Sequence, residues 1–182
     1  SFNGTSARVT VADAPSLRLT SAMTLEAWVN PTTVTSAWRD VVYKGDDNYY
    51  LSATSTSSGR PVGGGIFAGT YAESYGTSSL ALNTWTHLAT TYDGSTLRLF
   101  VNGTQVSSTP KTGAIASSAH PMQIGGDAIY GQHFAGRIDE VRVYNSALSA
   151  SEIQADMAAP IGNPGPDTTP PTIPSALSAT AV

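Results

Sequence analysis

Short runs in which apolar and polar side chains alternate recur along the first 159 residues, and turn-forming residues separate them. A period of two is the mark of strands with one face buried, and repeated short runs predict a sandwich rather than βαβ units. The strands predicted this way are 8–11, 23–29, 40–44, 49–53, 65–69, 85–92, 96–101, 122–125 and 136–144. Asp93-Gly94 and Asn102-Gly103 are hairpin dipeptides. They join 85–92, 96–101 and a strand over 104–107 into a meander. One helix is expected, because Ser149 followed three residues later by Glu152, ahead of Ile153 and Met157, is a capping-box pattern. Within 25–29, Leu25, Ala27 and Val29 share one face while Glu26 and Trp28 share the other, so the strand is expected to be central and covered on both sides. Trp28, Trp85, Leu97, Leu99 and Phe100 are read as packing residues, since burying such a side chain contributes about 1.5–3 kcal/mol.

The chain has 182 residues, of which 12% are charged, with no cysteine and a net charge of −4. These values exclude a disulfide scaffold and a thiolate metal site, and they leave no basic surface for nucleic acid. No apolar run reaches the roughly 20 residues that span a bilayer, and no signal-type segment precedes Phe2. A soluble monomer, cut from a longer precursor and secreted or held at a cell surface, is the expectation. Six of the 11 prolines fall between Pro160 and Pro174, mixed with Gly, Asp and Thr. This predicts a domain over 1–159, a stiff linker over 160–174, and over 175–182 the start of a further β domain.

The runs Trp85 to Gly103 and Gly136 to Asn145, with Ala147-Leu148-Ser149, Phe2-Asn3-Gly4 and Leu25 to Val29, resemble the LamG-like jelly-roll family of the concanavalin A-like lectin and glucanase group. The resemblance implies an all-β fold: a two-sheet antiparallel β-sandwich with one short C-terminal helix. It also implies ligands on a concave face or its rim, and attachment to secreted hydrolases, lyases or adhesins. The tail from Asp167 to Val182 resembles the lead-in to a fibronectin type III repeat. The family often carries a structural calcium, and the matching positions here are Asn3 and Asp139. Asp139 could equally serve only as an acceptor for backbone N–H groups.

A glucanase would need two carboxyl groups about 5–5.5 Å apart for retention, typically two or four residues apart on one strand. Glu26 stands alone, Asp139 and Glu140 are adjacent and point to opposite faces, and Asp46 and Asp47 lie in a turn. No Gly-x-Ser-x-Gly elbow occurs, His87 reads as structural, and His120 as a turn residue. A non-catalytic module that binds poly- or oligosaccharide and works beside neighbouring domains of its chain is therefore expected. A protein-binding spacer of an adhesin and a glycosidase of the same fold are the alternatives. Three loops combine rings with planar polar groups, which suits sugars. They run over 38–40 with 44–50, over 71–75 and over 127–133, and their candidate ligand residues are Arg39, Lys44, Asp46, Asp47, Tyr50, Tyr71, Tyr75, Asp127, Tyr130 and His133. The sequons at Asn3 and Asn102 add little, because the hairpin already explains Asn102-Gly103.

Overall fold

The computed structural model describes residues 1–159 and 161. The expected linker and the fibronectin-like beginning therefore lie, apart from Ile161, outside the described residues. Twelve strands and one helix follow in the order β1 (Phe2–Asn3), β2 (Val9–Val11), β3 (Met23–Pro31), β4 (Arg39–Lys44), β5 (Tyr49–Thr54), β6 (Val62–Phe67), β7 (Thr70–Tyr75), β8 (Thr86–Tyr92), β9 (Thr96–Val101), β10 (Thr104–Pro110), β11 (Met122–Ile124), β12 (Ala135–Tyr144) and α1 (Ala150–Ala158). They form two six-stranded antiparallel sheets, ordered β1-β12-β3-β8-β9-β10 and β2-β11-β4-β5-β6-β7. The expected all-β sandwich with one short helix is thus the fold.

The meander β8-β9-β10 closes through the two predicted hairpins. Asn102 and Gly103 both take positive φ, as the tight turn between β9 and β10 requires. Inward-facing side chains of both sheets, among them Leu25, Val29, Leu51, Phe67, Leu88, Tyr92, Leu97 and Leu99, make one core. A smaller cluster of Ala89, Phe100 and Ile153 docks α1 on the outer face of the first sheet. Ser149 caps α1 in the expected capping box with Glu152. Under this cover Glu26 and His87 sit 3.2 Å apart, both fully buried. Burial holds the Glu26 carboxyl above its ordinary range.

Two expectations change. Trp85 is 40% exposed rather than packed inside, and with Trp28, Asp139 and Glu140 it lines a shallow cleft on the outer surface. The segment 70–75 is not a loop but strand β7, paired with β6 from Val62 to Phe67.

One irregularity matters for the site. The β4–β5 ladder slips around Asp40: Asp40 pairs with Ser52 and Val42 with Leu51, which leaves Val41 unpaired, and Arg39 pairs with Thr54, which skips Ala53 and restores the register. Val41 and Val42 therefore both reach the core. Asp40 and Tyr43, three residues apart, come to the same outer face.

Candidate functional site

Register builds the floor of a cavity on the outer face of the second sheet. Tyr43 of β4 pairs with Tyr50 of β5, Tyr50 with Gly64 of β6, and Gly64 with Glu73 of β7. Directly paired residues project to the same face, so these four form one cross-strand row. Gly64 is the position that makes the row work. A Cβ there would stand 2.7 Å from the Tyr50 ring, and its absence lets that ring lie across β6. The Tyr50 hydroxyl thereby donates to Glu73 Oε1 at 2.6 Å.

The walls come from three neighbouring segments. Trp38, just before β4, meets Tyr50 edge-on with ring centroids 5.8 Å apart. Tyr71 of β7 donates its hydroxyl to Asp47 Oδ2 at 3.0 Å, and Asp47 lies in the β4–β5 turn. Tyr130, in the segment between β11 and β12, packs edge-on against Tyr43 and points its hydroxyl at Asp46 and Asp47. Gln132 closes the ring of lining residues: Trp38, Asp40, Tyr43, Asp47, Tyr50, Tyr71, Glu73, Tyr130 and Gln132. The enclosed volume is about 190 Å³. That is below the roughly 300 Å³ at which drug-sized pockets begin, so the cavity holds one compact unit such as a single sugar ring or chain end.

The electrostatics are one-signed. Among the described residues, three of those lining the cavity carry carboxyl groups, and none is Lys, Arg or His. Burial, followed by the nearby Asp127 and Asp47 carboxylates, raises the Asp40 carboxyl well above its ordinary range despite a hydrogen bond from Ser52. Asp40 Oδ2 is buried and meets no donor. Asp47 chiefly, with burial and Asp46 behind it, pushes the Tyr130 hydroxyl up to about 12. Burial and Glu73 push Tyr50 up as well. These hydroxyls therefore stay protonated at neutral pH, as donors to the carboxylates.

Of the residues expected at a ligand, Asp47, Tyr50, Tyr71 and Tyr130 line this cavity, and Asp46 stands at its rim beside the Tyr130 hydroxyl. Five expectations are corrected by position. Lys44 projects toward the sandwich interior, 1% exposed, where its ammonium pairs with Asp13 at 2.6 Å and meets the carbonyls of Ser118 and His120. Arg39 spends its guanidinium on the carbonyl of Trp38 and does not line the cavity. Asp127 is fully buried; its carboxylate accepts backbone N–H groups of Ile129, Tyr130 and Gln132, so it shapes the segment that presents Tyr130 and Gln132. His133 is buried beside Gly126 rather than facing outward. Tyr75 stands outside the lining and acts through Glu73, to whose Oε2 it donates. Trp38, Asp40, Glu73 and Gln132 of the three suspected segments join the lining, and so does Tyr43 of the strand expected over 40–44.

The residues that the family resemblance implied for calcium do not fit an ion. Asn3 Oδ1 already accepts the N–H groups of Thr5, Ser6 and Ala7. Asn3 pairs with Ala135 of β12, whereas Asp139 lies four residues further along that strand, about 13 Å away at strand rise. Asp139 accepts the N–H of Glu140. Calcium needs six to eight converging oxygens, and these two positions do not converge.

Two antiparallel layers of six strands, with an aromatic and acidic cavity on the outer face of one sheet, place the chain among the lectin-type β-sandwiches. Residues 3–154 match the concanavalin A-like lectin/glucanases superfamily, and the chain belongs to that family. Domain 4 of AbnA, an extracellular arabinanase from Geobacillus stearothermophilus solved with arabinotriose, superposes with a TM-score of 0.69 at 20% identity, covering 85% of this chain and 73% of that one. A putative carbohydrate-binding protein from Bacteroides ovatus gives 0.67 at 20% identity, over 84% of this chain and 45% of that one. Mouse pappalysin-1 is 36% identical over 78 residues, which is 40% of this chain and 5% of that protein.

Proposed function

We propose that this chain is a non-catalytic carbohydrate-binding module that seats one sugar unit of a poly- or oligosaccharide in the Trp38–Tyr50–Tyr71–Tyr130 cavity. One observation carries the reading: five aromatic rings, three carboxyl groups and one amide converge on a single 190 Å³ cavity on an open sheet face. Rings cover the C–H face of a sugar while planar polar groups bind its hydroxyls. The neighbour solved with arabinotriose and the neighbour described as carbohydrate-binding support it at the level of the fold. The settings of two of the three carboxyl groups support binding over cleavage. Both Glu73 oxygens accept tyrosine hydroxyls, and Asp40 is 1% exposed, too deep for a glycosidic oxygen.

Within a secreted multidomain protein such a module would hold a partner catalytic domain near polysaccharide and raise its effective substrate concentration. Affinity electrophoresis and calorimetry on a panel of polysaccharides and oligosaccharides test this. At least one is expected to be retained, and Trp38→Ala and Tyr71→Ala are each expected to weaken it about tenfold, a loss of about 1.4 kcal/mol. Tyr71 is 61% exposed, so its removal should change stability by no more than about 0.5 kcal/mol. Retention of no glycan would leave the module a spacer.

A further inference from the structure

The lining has acceptors in excess of donors. Asp40, Asp47 and Glu73 present carboxyl oxygens, and among the described residues no lysine, arginine or histidine lines the cavity to balance them. The hydroxyls of Tyr50 and Tyr71 are already committed to Glu73 and Asp47, and Tyr75 donates to Glu73 from outside. Lys44 and Arg39, the two cations that sequence places nearest, are turned away to Asp13 and to the Trp38 carbonyl. Asp40 is 1% exposed and faces the carboxyl of Asp127, so it lies at the floor, and Asp47 and Glu73 are the carboxyl groups that a ligand reaches. A ligand that completes this cavity must bring donors and positive charge. A neutral sugar hydroxyl brings one donor and needs acceptors satisfied in turn, whereas an ammonium brings three donors and no acceptor. Faces and edges of Trp38, Tyr43, Tyr50, Tyr71 and Tyr130 surround the same space, and aromatic faces attract a desolvated cation.

We propose that the cavity selects a sugar carrying a free, protonated amino group over neutral, N-acylated or acidic sugars. The proposal rests on the carbohydrate-binding reading above and names the ligand class of that same site. The volume admits one ring, so the recognised unit is a single amino sugar, at a chain end or projecting from a chain, with its ammonium toward Asp47 and Glu73. The same carboxylates repel uronates and sulfated sugars. N-acylation removes the charge and two donors and adds a carbonyl acceptor, so it gives up the pairing with Asp47 and Glu73.

Calorimetry at pH 6 in the presence of EDTA would compare oligomers of glucosamine, of N-acetylglucosamine, of glucose and of galacturonate at equal length. Glucosamine oligomers are expected to bind at least about tenfold tighter than the N-acetyl and neutral series, with galacturonate unbound. Asp47→Asn and Glu73→Gln, which keep side-chain shape, should each shrink that preference several-fold. Asp139→Asn, an equal change in net charge outside the cavity, should not. Diffuse attraction of a polycation to an acidic protein would survive Tyr71→Ala, so undiminished glucosamine binding by that variant overturns the proposal. Equal or tighter binding of neutral or N-acetyl oligomers also overturns it while leaving the carbohydrate-binding reading intact. So does binding that appears only on adding calcium, for neutral and amino sugars alike. Binding of none of the four series here, and of no glycan in the wider panel, removes both.

Discussion

Lys44→Met separates a structural from a ligand-binding role for the one lysine among the suspected ligand residues. The substitution keeps most of the apolar stem and removes the ammonium. In the folded protein that ammonium lies 2.6 Å from Asp13 Oδ1 and holds the carbonyls of Ser118 and His120, which ties the segment ahead of β11 to β4. Hydrogen bonds to a charged group contribute about 1.5–3 kcal/mol each, and removing one member of a buried pair costs about 3–5 kcal/mol. Arg18 remains on the other Asp13 oxygen, and methionine refills the volume, so the low end applies: about 3 kcal/mol for the Lys44 side chain. For a domain of this size that lowers Tm by about 6–12 °C. Thermal and urea melts check it. Arg18 first, and Lys44 second, hold the Asp13 carboxyl down at about 2, below its ordinary value near 4. A lowered folded-state pKa means the pairing stabilises fully above about pH 4 and is lost as pH falls through 2. The difference between Lys44→Met and the parent should therefore shrink across that window. An unchanged melt together with abolished glycan retention would refute the reasoning and return Lys44 to the ligand.

Ser149→Ala removes the cap of α1 and should cost about 1 kcal/mol, or about 2–4 °C of Tm, with glycan retention untouched, because α1 docks on the opposite sheet. Asn3→Ala frees three backbone N–H groups between Thr5 and Ala7 and should lower Tm by the same few degrees in EDTA as in calcium. A loss confined to calcium-containing buffer would show that Asn3 serves an ion after all.

The sandwich was legible because β3 and β9 carry apolar residues at every second position and because the hairpin dipeptides fix the order of β8, β9 and β10. β7 was not, since its inward positions are Ala72 and Ser74, too small to register as a hydrophobic face, while Tyr71, Glu73 and Tyr75 outward looked like a loop. β6 was set three residues late for a similar reason. Its Gly63-Gly64-Gly65 has no side-chain pattern, and its glycines are dictated by what crosses them, Thr90 from within and Tyr50 from without. The aromatic and acidic character of the site could be read from the three segments. Its membership could not, because facing in or out depended on burial partners distant in sequence. Asp13 for Lys44 and the backbone of residues 129–132 for Asp127 are the examples.

The slip at Val41 means that the site is specified by a count of residues as well as by their identity. The count runs over both strands, because β5 skips Ala53 where β4 skips Val41, and the ladder recovers its register at Arg39 and Thr54. Were the same residues to alternate regularly, Asp40 would turn into the sandwich, away from Tyr43, and Val41 would take its place above Ser52. An apolar side chain would then stand where a carboxyl now stands, with no letter of the sequence changed. Deleting Val41 outright would instead keep Asp40 on the outer face, two residues from Tyr43. Among relatives of this chain, the acid that matches Asp40 is therefore to be counted with the bulge included, three residues before the matching Tyr43 where it is kept and two where it is lost.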